Sequence, residues 1–383
     1  MTSKLKVMSV FGTRPEAVKM APLIKELSAR EQFINLVCVT AQHREMLDSM
    51  LSCFDLTADY DLDIMEPSQT LTGVTNRVLE RLGAVLLSER PDLVLVHGDT
   101  TTTFAGSLAS FYEQIPVGHV EAGLRTFDRY SPFPEEMNRS LVGRLASLHF
   151  APTAQNAANL RREGIVDGVF VTGNTVIDAM RYTVSQDAEF SDPVLRGLDF
   201  GNKRVIAMTC HRRENLGQPM VDIFTAVRRI AEDFGDVEVV YPVHLSPAVR
   251  EIARRELGHT KNVRLIEPLD AIEMHNLLSR CFMVMTDSGG IQEEAPAFGK
   301  PVLVLRKETE RPEAVEAGCV ELAGVETEAV YDLARRLLTD AEKYSGMAHA
   351  VNPYGDGKAC GRIADAILWH FGLSDKRPGE FLV

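Results

Sequence analysis

Short apolar, β-branched runs alternate with longer amphipathic stretches along most of the chain. In the first half LKVMSVFG, NLVCVT, DLVLVHG, IPVGHVE, SLHFAPT and GVFVTG predict strands, with helices such as EAVKMAPLIKEL and TNRVLERLGAVLLSER between them. In the second half RVIAMTC, VEVVYPV, VRLIEP, FMVMTD and PVLVLR repeat the pattern. Strands that alternate with helices build a parallel sheet, so the fold class is α/β with two Rossmann-like, doubly wound domains. The polar, weakly patterned segment 185–201 separates them, giving domains over 1–185 and 186–357. The closing GRIADAILWHFGL has helical spacing but no following strand, and the spacing leaves open which domain it covers. Two such sheets are expected to face each other across a central cleft at the carboxyl ends of their strands, where ligands of these folds bind. The polar motifs fall just after strands.

Composition narrows the chemistry. The 383 residues are 45% hydrophobic and 25% charged, which is ordinary for a globular protein of two domains. No apolar run is long enough to span a bilayer, and MTSKLKVMSVFG reads as a first strand and not a signal peptide, so a cytoplasmic location is expected. Six cysteines occur without a CxxC pair, which points to neither disulfides nor a zinc site. A net charge of −13 disfavours nucleic acid and anionic membranes as partners. An anionic small molecule would then need the basic residues to be gathered locally.

Four segments carry candidate chemistry. In VFGTRPEAVK, Gly12 follows a strand and Pro15 suits the start of a helix, whose free N–H groups, with Arg14 and Lys19, form an anion-attracting corner. A tight turn with two solvated cations is the plainer alternative. In HGDTTTTFAG, Asp99 is either a helix cap or a carboxylate open to substrate, and Glu121 and Glu135 come to the same edge from GHVEAGLR and SPFPEEMNR. In TCHRRENLGQ, His211, Arg212 and Arg213 form a basic triplet at a strand end, and His211 titrates near neutrality. In FMVMTDSGGIQEEAPAFGKPVLVLRKETERPEA, Ser288, Gly289 and Gly290 open a helix closely approachable by phosphate, Glu293 and Glu294 follow one turn in, and Arg311 returns a cation. That combination points to a nucleoside diphosphate.

Taken together, FGTRPEAVKMAPL, VTAQHREML, VHGDTTTT, GHVEAGLR, SPFPEEMNR, TGNTVIDA, HRREN, YPVH, TDSGGIQEEAP, TERPEA and NPYGDG resemble, in the same order, the non-hydrolysing UDP-N-acetylglucosamine 2-epimerases. These enzymes have the GT-B arrangement of two Rossmann-like domains. The resemblance spans essentially the whole chain. It implies a UDP-sugar substrate with the nucleotide held mainly by Leu269, Met274, Ser288, Gly289, Gly290, Glu294 and Arg311, and approached by Arg14 and Lys19. Many members carry Phe where Met274 stands. Asp99, Glu121, Glu135 and His211 match catalytic positions. The family's chemistry inverts carbon 2 by eliminating UDP to a 2-acetamidoglucal and adding it back, and needs neither cofactor nor metal. The resemblance also implies a homodimer, a return of segment 358–383 onto the first domain, and an activating second substrate molecule held by Gln42, His43, Arg212 and His244. A hydrolysing epimerase or a glycosyltransferase of the same fold would share much of this pattern, and a non-catalytic UDP-sugar sensor would keep the binding residues alone.

Overall fold

The computed structural model describes residues 4–40, 44–66, 69–185 and 187–382. The chain divides into two compact units, Met1–Tyr182 with Tyr354–Leu382, and Thr183–Pro353. The first carries a seven-stranded sheet in the order β3-β2-β1-β4-β5-β6-β7. Its strands are β1 (Leu5–Phe11), β2 (Phe33–Val39), β3 (Tyr60–Asp61), β4 (Leu93–His97), β5 (Val117–Val120), β6 (Leu148–Ala151) and β7 (Val169–Val171). The second carries a six-stranded sheet in the order β10-β9-β8-β11-β12-β13. There the strands are β8 (Arg204–Thr209), β9 (Val237–Pro242), β10 (Val263–Ile266), β11 (Met283–Thr286), β12 (Val302–Val304) and β13 (Val320–Leu322).

Every neighbouring pair in both sheets is parallel. Central strands are therefore covered on both faces, and Leu93, Val94, Leu95 and Val96 are fully buried. Each such side chain contributes about 1.5–3 kcal/mol of burial. The strand order reverses between β1 and β4 in one sheet and between β8 and β11 in the other. At such a reversal the loops leaving the two strands diverge to opposite faces and open a crevice. VFGTRPEAVK and HGDTTTT leave β1 and β4, and TCHRREN and TDSGG leave β8 and β11.

The eleven apolar runs read from the sequence all form strands. Two further strands are present, β3 and β13, of two and three residues, each at the edge of its sheet. The units part after Tyr182, ahead of the expected 185/186 boundary. The reason lies in Thr183, whose hydroxyl meets His275 Nδ1 at 2.7 Å and whose carbonyl accepts from Asn276 at 2.8 Å, while Asn276 also accepts from the Ser185 amide at 3.2 Å. The chain rejoins the first unit at Tyr354, ahead of the expected residue 358. Tyr354 accepts from the Asn174 amide at 2.6 Å, Arg30 bonds Asp365 at 2.6 Å, and the Phe381 amide bonds the Val171 carbonyl of edge strand β7 at 2.8 Å.

Candidate active site

In the first unit the turn after β1 is closed by Glu16. Thr13 caps the helix Arg14–Ser28, and Glu16, three residues on, accepts the Gly12 and Thr13 amides at 3.0 and 2.8 Å. Its other oxygen accepts the hydroxyls of Thr100 and Thr103 at 2.8 and 3.2 Å, which ties the β1 loop to the β4 loop. Burial pushes the Glu16 carboxyl up against the pull of its bonds to Thr100, Thr13 and Gly12. Two of the amides expected to attract an external anion are thus already occupied by a carboxylate of the protein. Gly12 is required by packing, because a Cβ there would lie 2.0 Å from Thr40 Oγ1.

Lys19, one turn further along, forms an ion pair with Glu121. Glu121 follows β5 with a left-handed backbone (φ 64°), which a non-glycine residue adopts at a cost of roughly 1–3 kcal/mol. Its Oε2 also accepts from Asn174 Nδ2 at 3.0 Å and faces His97 Nε2 at 3.7 Å. Burial alone would raise this carboxyl, but Lys19, His97 and Asn174 outweigh it and hold Glu121 well below the usual carboxylate range. Asp99 is not the helix cap. Thr100 takes that role, accepting the Thr103 amide at 3.1 Å, and Asp99 pairs with Arg139 at 2.8 Å. Glu135 begins the helix Glu135–Leu145, and its buried Oε2 has no hydrogen-bond partner among the described residues. Its neighbour Glu136 is structural, accepting the Thr126 and Phe127 amides at 3.0 and 2.9 Å. Arg14 is half-buried at the helix start.

Beneath this cluster His97, His119 and His149 lie at the ends of or within β4, β5 and β6, and His119 and His149 are register partners. Burial pushes them down to about 4, about 3 and about 4. They are neutral and belong to the interior.

In the second unit the buried carboxylate is Asp287, directly after β11. Its Oδ2 accepts the His211 and Arg212 amides at 2.7 and 2.8 Å and Asn215 Nδ2 at 3.1 Å. That holds the β8 loop. The His211 ring lies 3.4 Å from Asp287 Oδ1 and stacks on His244 with centroids 5.2 Å apart. Burial lowers its proton affinity, and His244 and Arg212 add to this against Asp287. Ser288 precedes the short helix Gly289–Glu294 and makes no capping bond through its side chain. Gly289 lies under Arg311, since a Cβ there would be 2.9 Å from its Cζ. Arg311 is held by Glu293 at 2.6 Å and Glu310 at 3.3 Å, and Arg212 reaches Glu310 at 3.6 Å. Glu294 faces His275 at 3.4 Å and lies 3.4 Å from where a Gly290 Cβ would stand. Leu269 and Met274 are half-buried, Met274 in the helix Ala271–Arg280.

Within the first unit Lys19 meets Glu121, and within the second Arg311 lies over Gly289. Lys19, Asp99, Glu121 and Glu135 sit on the loops and helix starts after β1, β4 and β5, and His211, Ser288, Gly289, Gly290, Glu294 and Arg311 sit after β8, β11 and β12. Arg212 and His244 flank His211, while Gln42 and His43 lie outside the described residues. Sequence reasoning gave no role to Glu16, Asp287, Arg139 or Asn174. A signal existed for Glu16, since Thr13-Arg14-Pro15-Glu16 is a capping-box pattern. Among the described residues no cluster of His, Cys, Asp or Glu could hold a metal ion, and no helix is long and apolar enough to cross a membrane.

A carboxylate-rich centre in one doubly wound unit and a glycine-arginine corner in a second define a GT-B-type α/β protein. The same fold occurs in a glycosyltransferase from Streptomyces nogalater, at a TM-score of 0.55 and 18% identity over 95% of this chain and 100% of that one. The model for the family UDP-N-acetylglucosamine 2-epimerase matches residues 25–368. The UDP-N-acetylglucosamine 2-epimerase of Bacillus subtilis is 55% identical over 379 residues, 99% of each chain. The UDP-GlcNAc 2-epimerase from Neisseria meningitidis, solved bound to UDP-GlcNAc, has a TM-score of 0.86 at 48% identity, covering 95% of this chain and 100% of that one. The S. aureus MnaA–UDP co-structure has a TM-score of 0.87 at 51% identity, covering 99% and 100%. The chain belongs to the UDP-N-acetylglucosamine 2-epimerase family.

Proposed function

We propose that the protein interconverts UDP-N-acetylglucosamine and UDP-N-acetylmannosamine without hydrolysis. The C1–O bond to UDP breaks, a carboxylate takes the proton from carbon 2, and the C1–C2 double bond of a 2-acetamidoglucal forms. UDP then adds back to C1 as a proton is delivered to carbon 2 from the other face. The carbon 2 proton is not acidic enough for direct removal, and departure of UDP supplies the missing acidity. Positive charge must therefore stabilise the leaving diphosphate, and carboxylates must move protons.

The observation that carries this reading is the family match together with three carboxylates, Asp99, Glu121 and Glu135, gathered at one end of the first sheet. Asp99 takes part directly in proton transfer. Glu121, kept ionised by its partners, positions the sugar, and Glu135 brings an oxygen that has no hydrogen-bond partner among the described residues. Arg311, with Ser288, Gly289 and Gly290 beneath it, holds the diphosphate with His211, while Glu294 takes the ribose and Leu269 and Met274 flank the uracil. Arg14 and Lys19 are the basic substrate-binding residues of the first unit. A homodimer, a cytoplasmic location, and activation by a second substrate molecule through Arg212 and His244 complete the proposal; loss of sigmoidal kinetics in Arg212→Ala tests the last.

The reaction is tested by incubating the protein with UDP-N-acetylglucosamine in deuterated water and following the sugar by NMR. Deuterium at carbon 2 of UDP-N-acetylmannosamine, with the link to UDP intact, is the expected result. Free N-acetylmannosamine would assign a hydrolysing enzyme, and absence of exchange would overturn the reading.

A further inference from the structure

TGNT and NPYG have no part in the reaction as proposed, yet TGNT supplies a partner to Glu121 and NPYG packs against that partner. Asn174 is 3% exposed, and its side-chain oxygen accepts the Val176 amide at 3.1 Å. That leaves its NH2 group as donor to Glu121 Oε2 at 3.0 Å, so both ends of the amide are determined by their partners. The Asn174 backbone is held as well, its N–H donating to the Tyr354 carbonyl at 2.6 Å. Behind it a Cβ on Gly355 would approach Ile177 Cγ1 to 3.1 Å and the Asn174 nitrogen to 3.5 Å. Gly173, at φ 86°, leaves space for Gly355, whose Cα would stand 3.4 Å from an added Cβ.

We infer that Asn174 is a positioning residue for Glu121, and that Tyr354 and Gly355 form the bracket that keeps it in place. This rests on the epimerase reading, which gives Glu121 its task. The charged or titratable groups facing Glu121 are Lys19 from the helix Arg14–Ser28 and His97 from β4, with Asn174 from the turn after β7, and all three address Oε2. Lys19 is a flexible point charge and His97 is neutral. Asn174 is the short neutral donor, immobilised on two sides, that can orient a carboxylate whose own backbone is left-handed.

The test uses the full chain with Asn174→Ala, Asn174→Asp and Gly355→Ala. Each is assayed beside the wild type for kcat and KM with UDP-N-acetylglucosamine across pH, and for UDP binding by calorimetry. A displaced carboxylate lowers kcat by about 10- to 100-fold while KM and UDP affinity move less than about threefold. Asn174→Asp sets a second carboxylate beside Glu121, so the acid limb of its kcat profile moves to higher pH. Gly355→Ala reproduces the kcat loss without touching Glu121, and it decides the matter where Asn174→Ala does not fold. An active wild type with unchanged kcat and pH profile in the folded variants overturns the inference alone. An inactive wild type overturns the epimerase reading and this inference with it.

Discussion

Glu16 and Asp287 solve the same problem from opposite sides. In each unit the loop after the first central strand carries backbone amides that need an acceptor, and in each a buried carboxylate supplies it. In the first unit the acceptor is local, from the helix that the loop opens, and its second oxygen reaches across to Thr100 and Thr103. In the second it comes from the loop of the neighbouring strand β11. The consequence for chemistry follows. In the first unit the loops after β4 and β5 carry Asp99 and Glu121, whereas in the second Asp287 is spent on structure and the adjoining Gly289 lies under Arg311. On the proposed function, the first unit would move protons and the second would hold phosphate.

Acid should separate the units most. His97, His119 and His149 have folded values pushed to about 4, about 3 and about 4 from an ordinary 6.5. Their stabilisation is complete above about pH 6.5 and is lost as pH falls through about 4 for His97 and His149 and about 3 for His119, at roughly 3 kcal/mol for each of the first two and roughly 5 kcal/mol for the third. Glu121, also depressed, stabilises fully above its ordinary 4.5 and loses this progressively as pH falls below it, so its window begins under theirs. Hydrogen exchange between pH 7 and 4.5 should show the first unit opening first; simultaneous opening of both would break the comparison.

Next in size is the division of labour. Asp99→Asn should reduce turnover by at least about 1000-fold with UDP affinity unchanged, and near-normal turnover would remove Asp99 from proton transfer. Arg311→Ala should do the reverse in kind, weakening UDP binding by about 100-fold by calorimetry. Loss of the buried carboxylates comes third. Asp287→Ala and Glu16→Ala each strand buried donors and should cost about 2–4 kcal/mol in urea unfolding, with Asp287→Asn recovering part of it. The glycines give the smallest and most discriminating pair. Gly12→Ala collides with Thr40 and should cost about 1–3 kcal/mol of stability. Gly289→Ala meets only the movable Arg311 guanidinium and should leave stability nearly intact while raising the UDP dissociation constant about tenfold.

The chain's apolar periodicity determined the class of fold, eleven of the thirteen strands and the loops on which chemistry could sit, because burial on both faces of a parallel sheet writes itself into local composition. Motif order also carried the family. Thr13 to Glu16 shows how far this reaches, since a capping box is local and legible. Tertiary structure decided the pairings. Lys19 meets Glu121, Asp99 meets Arg139 instead of capping its helix, and Asn174 reaches Glu121 on one side and Tyr354 on the other. Those partners are dozens to hundreds of residues apart, and periodicity records only that a position is buried, never which distant group will satisfy it. The same limit applies to Thr183 and Tyr354, whose hydrogen bonds to distant residues tie them to their units. It applies equally to β3 and β13, which exist because a neighbouring strand offers its edge.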